Sequence, residues 1–320
     1  MLLKINNATY KYPESRPASG FFSINLNVDK GQTLSLFGNS GSGKSTLLKA
    51  IYGLINLDKG SLFINGKRAF GPSRNLVPGH SNVKLVSQHY ELLPNHTAEE
   101  NIFQHLHFMF KKDKRRIVDS LVELFELKEC RKKKPNCLSA GQQQRTAIAT
   151  ALANVPDLLL LDEAFNNLDF ALRQSANNYI THLQQEYGMA VVYVSHHTQE
   201  AFRVAHKAAV MQKGRIVQEG SPEELYFKPK TEGIASLFGA SFPLNLDEIS
   251  EARLKNQTVI RPENFIQSED KSAKPVQVVR SVFNGGNYLN YAETSDSVFV
   301  AFYSDKPRSG KVKLICRPLL

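Results

Sequence analysis

Residues 33–54 read TLSLFGNSGSGKSTLLKAIYGL: a short strand-like run opens into Gly38–Ser45, the pattern GxxxxGK[ST], and closes on a helical run. Glycines in such a turn let backbone N–H groups point inward around anionic oxygens, and the following helix presents its positive end to them. Gly38, Asn39, Ser40, Gly41, Ser42, Gly43, Lys44, Ser45 and Thr46 are therefore the candidate phosphate-binding residues. Lys44 can reach the β- and γ-phosphates of a nucleotide, and the Ser45 hydroxyl is placed for Mg2+. A chance glycine-rich turn would need neither the strand before it nor the helix after it.

Three further runs share the character of Thr33–Phe37: Val83–Val86 (VKLV), Leu158–Leu161 (LLLL) and Val191–Val194 (VVYV). Alternating with helical patterns, they predict fully buried parallel strands with crossover helices, an α/β class. Polar motifs follow each at once, at Gln88, Asp162 and His196. In open α/β sheets ligands sit outside the carboxyl ends of the strands, so these motifs and the glycine loop are expected to converge on one crevice. Asp162 suits a Mg2+ shell, and Glu163 suits orienting or deprotonating an attacking water. A strand ending in an acidic pair is common by itself; joined to the glycine loop it becomes the second half of a nucleotide-hydrolysing site. His196 in VSHHTQEA could hydrogen-bond a γ-phosphate or the water beside it, with His197 left at the surface. Gln88 in VSQHYELLP could ligate the metal and sense the γ-phosphate, or be a plain turn residue. Tyr12 in TYKYP, or Tyr10, could stack on a purine face or pack as an ordinary tyrosine.

Composition narrows the alternatives. The 320 residues, 42% hydrophobic and 22% charged, are enough for two domains with a substantial core. Cys130, Cys137 and Cys316 form no CxxC pair and accompany no histidine cluster, so neither a zinc site nor a disulfide framework is indicated, and a reducing cytoplasm fits best. The apolar runs fall far short of the about 20 residues needed to span a bilayer. The opening MLLKINNATYKYP, with a lysine and two asparagines in its first seven residues, does not read as a secretory signal. A net charge of +10 and pI near 9.4 would suit nucleic acid or an anionic membrane. Its concentrations, Lys111–Arg116 (KKDKRR) and Arg131–Lys134 (RKKK), lack the aromatic interleaving of RNA-binding surfaces and read first as solvated helix ends and loops.

Between the second and third strands, from about 89 to 157, apolar residues at helical spacing (Ile117, Leu121, Leu124, Phe125) predict an inserted helical subdomain. After about 235 the pattern changes through the polar stretch Asp247–Asn256 into short runs at Val276–Val279, Ser297–Tyr303 and Val312–Cys316, punctuated by Gly285, Gly286 and Gly310. That is the cadence of a small β-barrel or sandwich. Inside the insertion lies Leu138–Arg145, LSAGQQQR. Ser139-x-x-Gln142 fits a capping box. A box alone explains neither Gly141 in the first turn, where glycine costs about 1 kcal/mol against alanine, nor three consecutive glutamines. A helix start bare of a side chain there suits a phosphate.

Together these residues resemble the ATP-binding subunits of ABC transporters over about residues 1–235. In order come an aromatic before the first strand (Tyr12), the phosphate loop (Gly38–Ser45), a Q-loop (Gln88), the signature LSAGQ (Leu138–Gln142), a magnesium aspartate and catalytic glutamate (Asp162, Glu163), a D-loop aspartate (Asp169) and a switch histidine (His196). The resemblance implies a phosphate-loop NTPase core using ATP and Mg2+. It further implies head-to-tail pairing with a second copy, or a paralogous ATPase subunit. Ser139, Gly141 and Gln142 of one copy would then cap the γ-phosphate on the other's loop, with Asp169 and Gln88 also at the site. Glu163 would act as base and His196 as stabiliser. The implied partners are transmembrane permease subunits and, indirectly, a solute-binding protein, with no nucleic acid, at the cytoplasmic face of the inner membrane.

Residues 236–320, with AVMQKGRIVQEGSPEELY (209–226) and VIRPENF (259–265) before and within them, resemble a linker and the OB-like regulatory domain of importer ATPases for polyamines, ferric iron, sulfate, molybdate and sugars. Ala140, Ala164, Asn166–Asn167, Thr150 and Ser87 depart from the family's usual residues, and none removes a chemical group from the site. The rival, a soluble ABC ATPase acting on nucleic acid or ribosomes, would generally carry two cassettes or a long coiled coil, which this sequence lacks.

Overall fold

A computed structural model describes residues 1–13, 19–75, 79–87, 91–106, 110–195, 198–243, 259–270, 273–295 and 299–316. It separates into two compact units, Met1–Ser221 and Pro222–Leu320.

The first unit holds two sheets and a helical insertion. Strands β1 (Leu3–Lys11) and β2 (Gly20–Val28) pair antiparallel, followed by β3 (Thr33–Phe37) and helix α1 (Lys44–Tyr52). Next come β4 (Lys59–Ile64), β5 (Lys67–Ala69) and β6 (Val83–Val86); then helices α2 (Ala98–Gln104), α3 (Lys111–Leu124) and α4 (Ala140–Ala153). The unit closes with β7 (Leu158–Asp162), α5 (Phe170–Tyr187), β8 (Ala190–Val194), α6 (Thr198–Val204), β9 (Lys207–Gln212) and β10 (Arg215–Gly220).

The larger sheet runs β10-β9-β3-β8-β7-β6, with β9, β3, β8, β7 and β6 mutually parallel. Strands β3, β7 and β8 are buried along their whole length, as unbroken apolar runs require when both faces are covered. β6 differs from expectation: it is the sheet edge, and Lys84 and Leu85 are only half-buried. The smaller antiparallel sheet, β2-β1-β4-β5, shares a core with the larger one through α1, where Leu47, Leu48 and Ile51 meet Leu3, Ile5, Phe21, Leu36 and Leu160. Each such side chain, fully buried, contributes about 1.5–3 kcal/mol.

Among the described residues of the insertion between β6 and β7 every regular element is a helix, joined by turns, as expected. Val118, Leu121 and Val122 of α3 face inward with Ile102 of α2 and Ile148 and Leu152 of α4. α2 begins at a capping box of Thr97 with Glu100, the Thr97 N–H donating to Oε2 at 2.7 Å.

The second unit opens with α7 (Pro222–Phe227) and α8 (Glu232–Ala235), then β11 (Phe242–Pro243), β12 (Val259–Ile260), β13 (Phe265–Gln267), β14 (Lys274–Phe283), β15 (Tyr288–Thr294), β16 (Phe299–Ser304) and β17 (Gly310–Cys316). The polar stretch at 247–256 lies outside the described residues. An antiparallel sheet of order β13-β17-β14-β15-β16 curls so that its end strands β13 and β16 approach each other, the near-barrel expected. Alternate residues Val276, Val278, Val300, Phe302, Val312 and Leu314 fill it. Residues 222–235, placed with the first domain on sequence grounds, pack with this unit for a visible reason. The Arg261 guanidinium, 2% exposed, donates to the carbonyls of Tyr226 (3.0 Å), Ala235 (3.2 Å) and Ala240 (3.4 Å) and lies 3.9 Å from the Tyr226 ring centre. Burial pushes that guanidinium below its usual range, with Tyr226 and Glu263 opposing.

Candidate functional site

The glycine loop leaves β3 at Gly38, whose φ of +146° no side chain suits and where a Cβ would lie 2.1 Å from the Met211 carbonyl oxygen. Gly43 (φ +101°), just before α1, would meet the Gly20 carbonyl at 2.7 Å. The loop closes on Lys44, only 6% exposed, whose Nζ donates to the carbonyls of Gly38 (2.7 Å) and Asn39 (3.0 Å) and to Ser42 Oγ (3.3 Å). Burial lowers the Lys44 pKa, opposed by the Glu163 and Asp162 carboxylates.

Asp162, at the end of β7 and 6% exposed, accepts the Ser45 hydroxyl at 3.0 Å. Its pKa is raised, first by burial, while the Ser45 hydrogen bond and Lys44 oppose the shift. The sequence separates Ser45 from Asp162 by 117 positions, the whole insertion among them; the parallel sheet brings their oxygens to contact distance. Glu163 follows at φ +55°, sparsely populated for a residue with a side chain, and this turn ends the strand. Its N–H donates to the Val194 carbonyl (3.0 Å), and its Oε2 accepts from Asn166 Nδ2 (3.0 Å). Asn166 is one of the family departures noted in the sequence, so the departing residue holds the acidic partner directly.

Tyr12 lies beside the loop helix, its hydroxyl 3.1 Å from Thr46 Oγ1 and its ring edge-on to Tyr10 at 5.0 Å. Gln88 and His196 lie outside the described residues. Among the described residues no group of three or more His, Cys, Asp or Glu could hold a metal, and of the expected Mg2+ ligands Ser45 and Asp162 are described and in contact.

Leu138–Gln142 sits at the start of α4. The capping box is real: the Ser139 hydroxyl accepts the Gln142 N–H (3.3 Å), and Gln142 Oε1 accepts the Ser139 N–H (3.1 Å). The three glutamines that a box alone left unexplained each have a partner within the chain, which corrects that part of the sequence argument. Gln143 Nε2 donates to the carbonyls of Pro135 (3.0 Å) and Leu138 (3.2 Å), and buried Gln144 accepts the Asn167 N–H (3.1 Å). Gln144, which sequence reasoning passed over, ties α4 to the loop 166–169; its signal was its place at the end of the glutamine run. Gly141 keeps its puzzle. A Cβ there would meet only the Asn167 carbonyl oxygen at 3.6 Å, an ordinary contact, so the packing of the described residues does not call for glycine. Asp169 caps α5, accepting the Leu172 N–H at 2.9 Å.

The profile of the family described as ABC transporter matches residues 21–166. An Fe(3+) ions import ATP-binding protein from Fusobacterium nucleatum is 31% identical over 321 residues, covering 92% of this chain and 85% of that one. The chain belongs to the ABC transporter ATP-binding proteins. A spermidine/putrescine import ATP-binding protein from Bacillus cereus is 37% identical over 75% of this ABC ATPase and 71% of its own length. Among solved structures, a dimeric post-hydrolysis state of the ATP-binding cassette MJ0796 bound to ADP and Pi aligns with a TM-score of 0.61 at 28% identity, over 69% of this chain and 99% of that one. As a member of the family, this ABC ATPase binds and hydrolyses ATP. No helix among its described residues is long and apolar enough to cross a membrane.

Proposed function

We propose that this ABC ATPase drives solute import as a head-to-tail pair, each ATP lying between the phosphate loop of one copy and Leu138–Gln142 of the other. Gly141 is the observation that carries the reading. A glycine that costs helix stability and is not demanded by the chain's own described packing is accounted for by a phosphate approaching from outside. The dimeric state named for MJ0796 supports the pairing. The import named for both curated relatives supports a peripheral position at the cytoplasmic membrane face, beside permease subunits that a solute-binding protein supplies. Their cargoes, Fe(3+) and spermidine/putrescine, put ferric iron and polyamines first. The ATPase function rests on the first unit, Met1–Ser221, while residues 236–320, against which residues 222–235 pack, are regulatory.

Gly38–Thr46 would cradle the phosphates, with Lys44 exchanging its present loop oxygens for those of the β- and γ-phosphates. The paired Ser45 hydroxyl and Asp162 carboxylate fit Mg2+, which favours one or two protein oxygens with phosphates completing its shell. Bound there, the ion would supply positive charge to the transferring phosphoryl oxygens. Glu163 takes the proton of the attacking water, and Asn166 holds that carboxylate beforehand. Tyr12 offers its ring to the purine, while Gln88, Asp169 and His196 take the roles that the family resemblance implies. Glu163→Gln should abolish turnover while keeping ATP binding, and should accumulate an ATP-bound dimer in size-exclusion chromatography. Unchanged hydrolysis would remove Glu163 as the base.

A further inference from the structure

We propose that the N-terminal half of α3, together with the loop at 131–134, forms a cationic face that docks on an anionic lipid bilayer. Lys111, Lys112, Arg115 and Arg116 are exposed on the first turns of α3, with the Asp113 carboxylate among them. Lys114 is drawn back over the Phe103 ring, 5.3 Å from its centre. Lys132, Lys133 and Lys134 are exposed too, and their neighbour Arg131 ties that loop to the same helix. Arg131 donates to Asp119 (2.8 Å), one turn beyond Arg115, and to Glu99 (2.6 Å).

Charge along α3 runs against the helix's own stability. Cations crowd the first turns, where the positive end of the helix disfavours them, whereas Glu123 in the last turn is paired with Lys128 at 2.8 Å. The start of the helix is not otherwise secured, since the N-cap Phe110 supplies no side-chain cap. Its ring is instead 85% exposed. An anionic partner accounts for a run of cations that costs the isolated helix stability at its start. Val118, Leu121 and Val122 are spent on the subdomain core, so α3 does not lay an apolar stripe in lipid. It would meet the bilayer by its cationic side, with Phe110 entering the headgroup boundary where aromatic rings are favoured. The choice of a bilayer over nucleic acid rests on the proposed peripheral membrane position and on the single terminal aromatic, since basic and aromatic residues do not interleave here.

The test uses the full chain without permease, floated with phosphatidylcholine vesicles that contain or lack phosphatidylglycerol, its ATPase activity being measured in the same sample. Binding should require phosphatidylglycerol and weaken as salt rises. Each cation near such a surface is worth about fivefold, so the quadruple variant Lys111→Gln, Lys112→Gln, Arg115→Gln, Arg116→Gln should bind roughly several hundredfold more weakly, with ATP hydrolysis unchanged. Phe110→Ser should weaken binding with the charge intact. Equal binding to both vesicle types, or no binding by an ATPase-active sample, would overturn the proposal while leaving the ATPase assignment standing. Tighter binding to a random oligonucleotide than to the anionic vesicles would overturn it in favour of nucleic acid.

Discussion

At the scale of single residues, the site is held in readiness by charges kept out of water. Asp162 has its pKa raised chiefly by burial, so ionising it costs more in the folded chain than in the unfolded one. A carboxyl raised in this way contributes stability that is fully present below its ordinary pKa of about 3.9 and is lost as pH climbs through the folded value. Asp162→Asn removes that loss. Nucleotide-free Asp162→Asn should therefore melt higher than the parent at neutral pH, with the gap closing as pH falls toward about 4, and it should not hydrolyse ATP. Melting curves at a series of pH values check the sign; a gap that widens on acidification would contradict it. Gly141→Ala separates stability from activity in the same spirit. The 3.6 Å contact is ordinary and alanine favours the helix, so stability should hold or rise by up to about 1 kcal/mol while ATP turnover falls at least tenfold. Undiminished turnover would show that nothing approaches that position. Most of these residues were legible in the sequence because phosphate and metal chemistry restricts residue type and spacing. Gln144 was not, since a buried glutamine accepting one backbone N–H has no spacing rule.

Among elements, the contact between α4 and the loop 166–169 joins two parts of the site through that hydrogen bond. Gln144→Leu keeps the bulk but removes the acceptor that Gln144 gives the Asn167 N–H, at a cost of about 0.5–1.5 kcal/mol. Chemical denaturation should show that loss, and kcat should fall with KM for ATP nearly constant, since the loop and not the nucleotide pocket is disturbed. A change confined to KM would place the defect in nucleotide binding instead. The central strands β3, β7 and β8 were legible as apolar runs because both faces are covered. β1 was not legible, because register shifts between Ile5 and Tyr10, with Asn7 at φ +47°, break the alternation that marks a half-buried strand. β6 was found but misjudged as fully buried, since four residues cannot report that they lie at a sheet edge. In the second unit, β15 (YLNYAET) was missed because Asn290, fully buried and donating to the Phe302 carbonyl and Ser304 hydroxyl, interrupts the apolar pattern with a polar core residue.

For the whole molecule, the central claim is that a complete ATP site takes two copies. Sequence carried the claim through a motif with no acid, base or metal ligand beside it, and the fold sharpens it. The phosphate loop, Ser45 and Asp162 are assembled within one chain, while Gly141 keeps a helix start clear that the described residues of its own chain do not fill. The most direct measurement mixes two variants, Lys44→Ala and Ser139→Arg, each inactive alone, and follows ATP hydrolysis against mixing ratio. A mixed pair retains one site built from the intact loop of the Ser139→Arg copy and the intact signature of the Lys44→Ala copy. Hydrolysis in the mixture should therefore rise above that of either variant and peak near equal proportions; a mixture that forms pairs yet stays as inactive as its components would contradict shared sites.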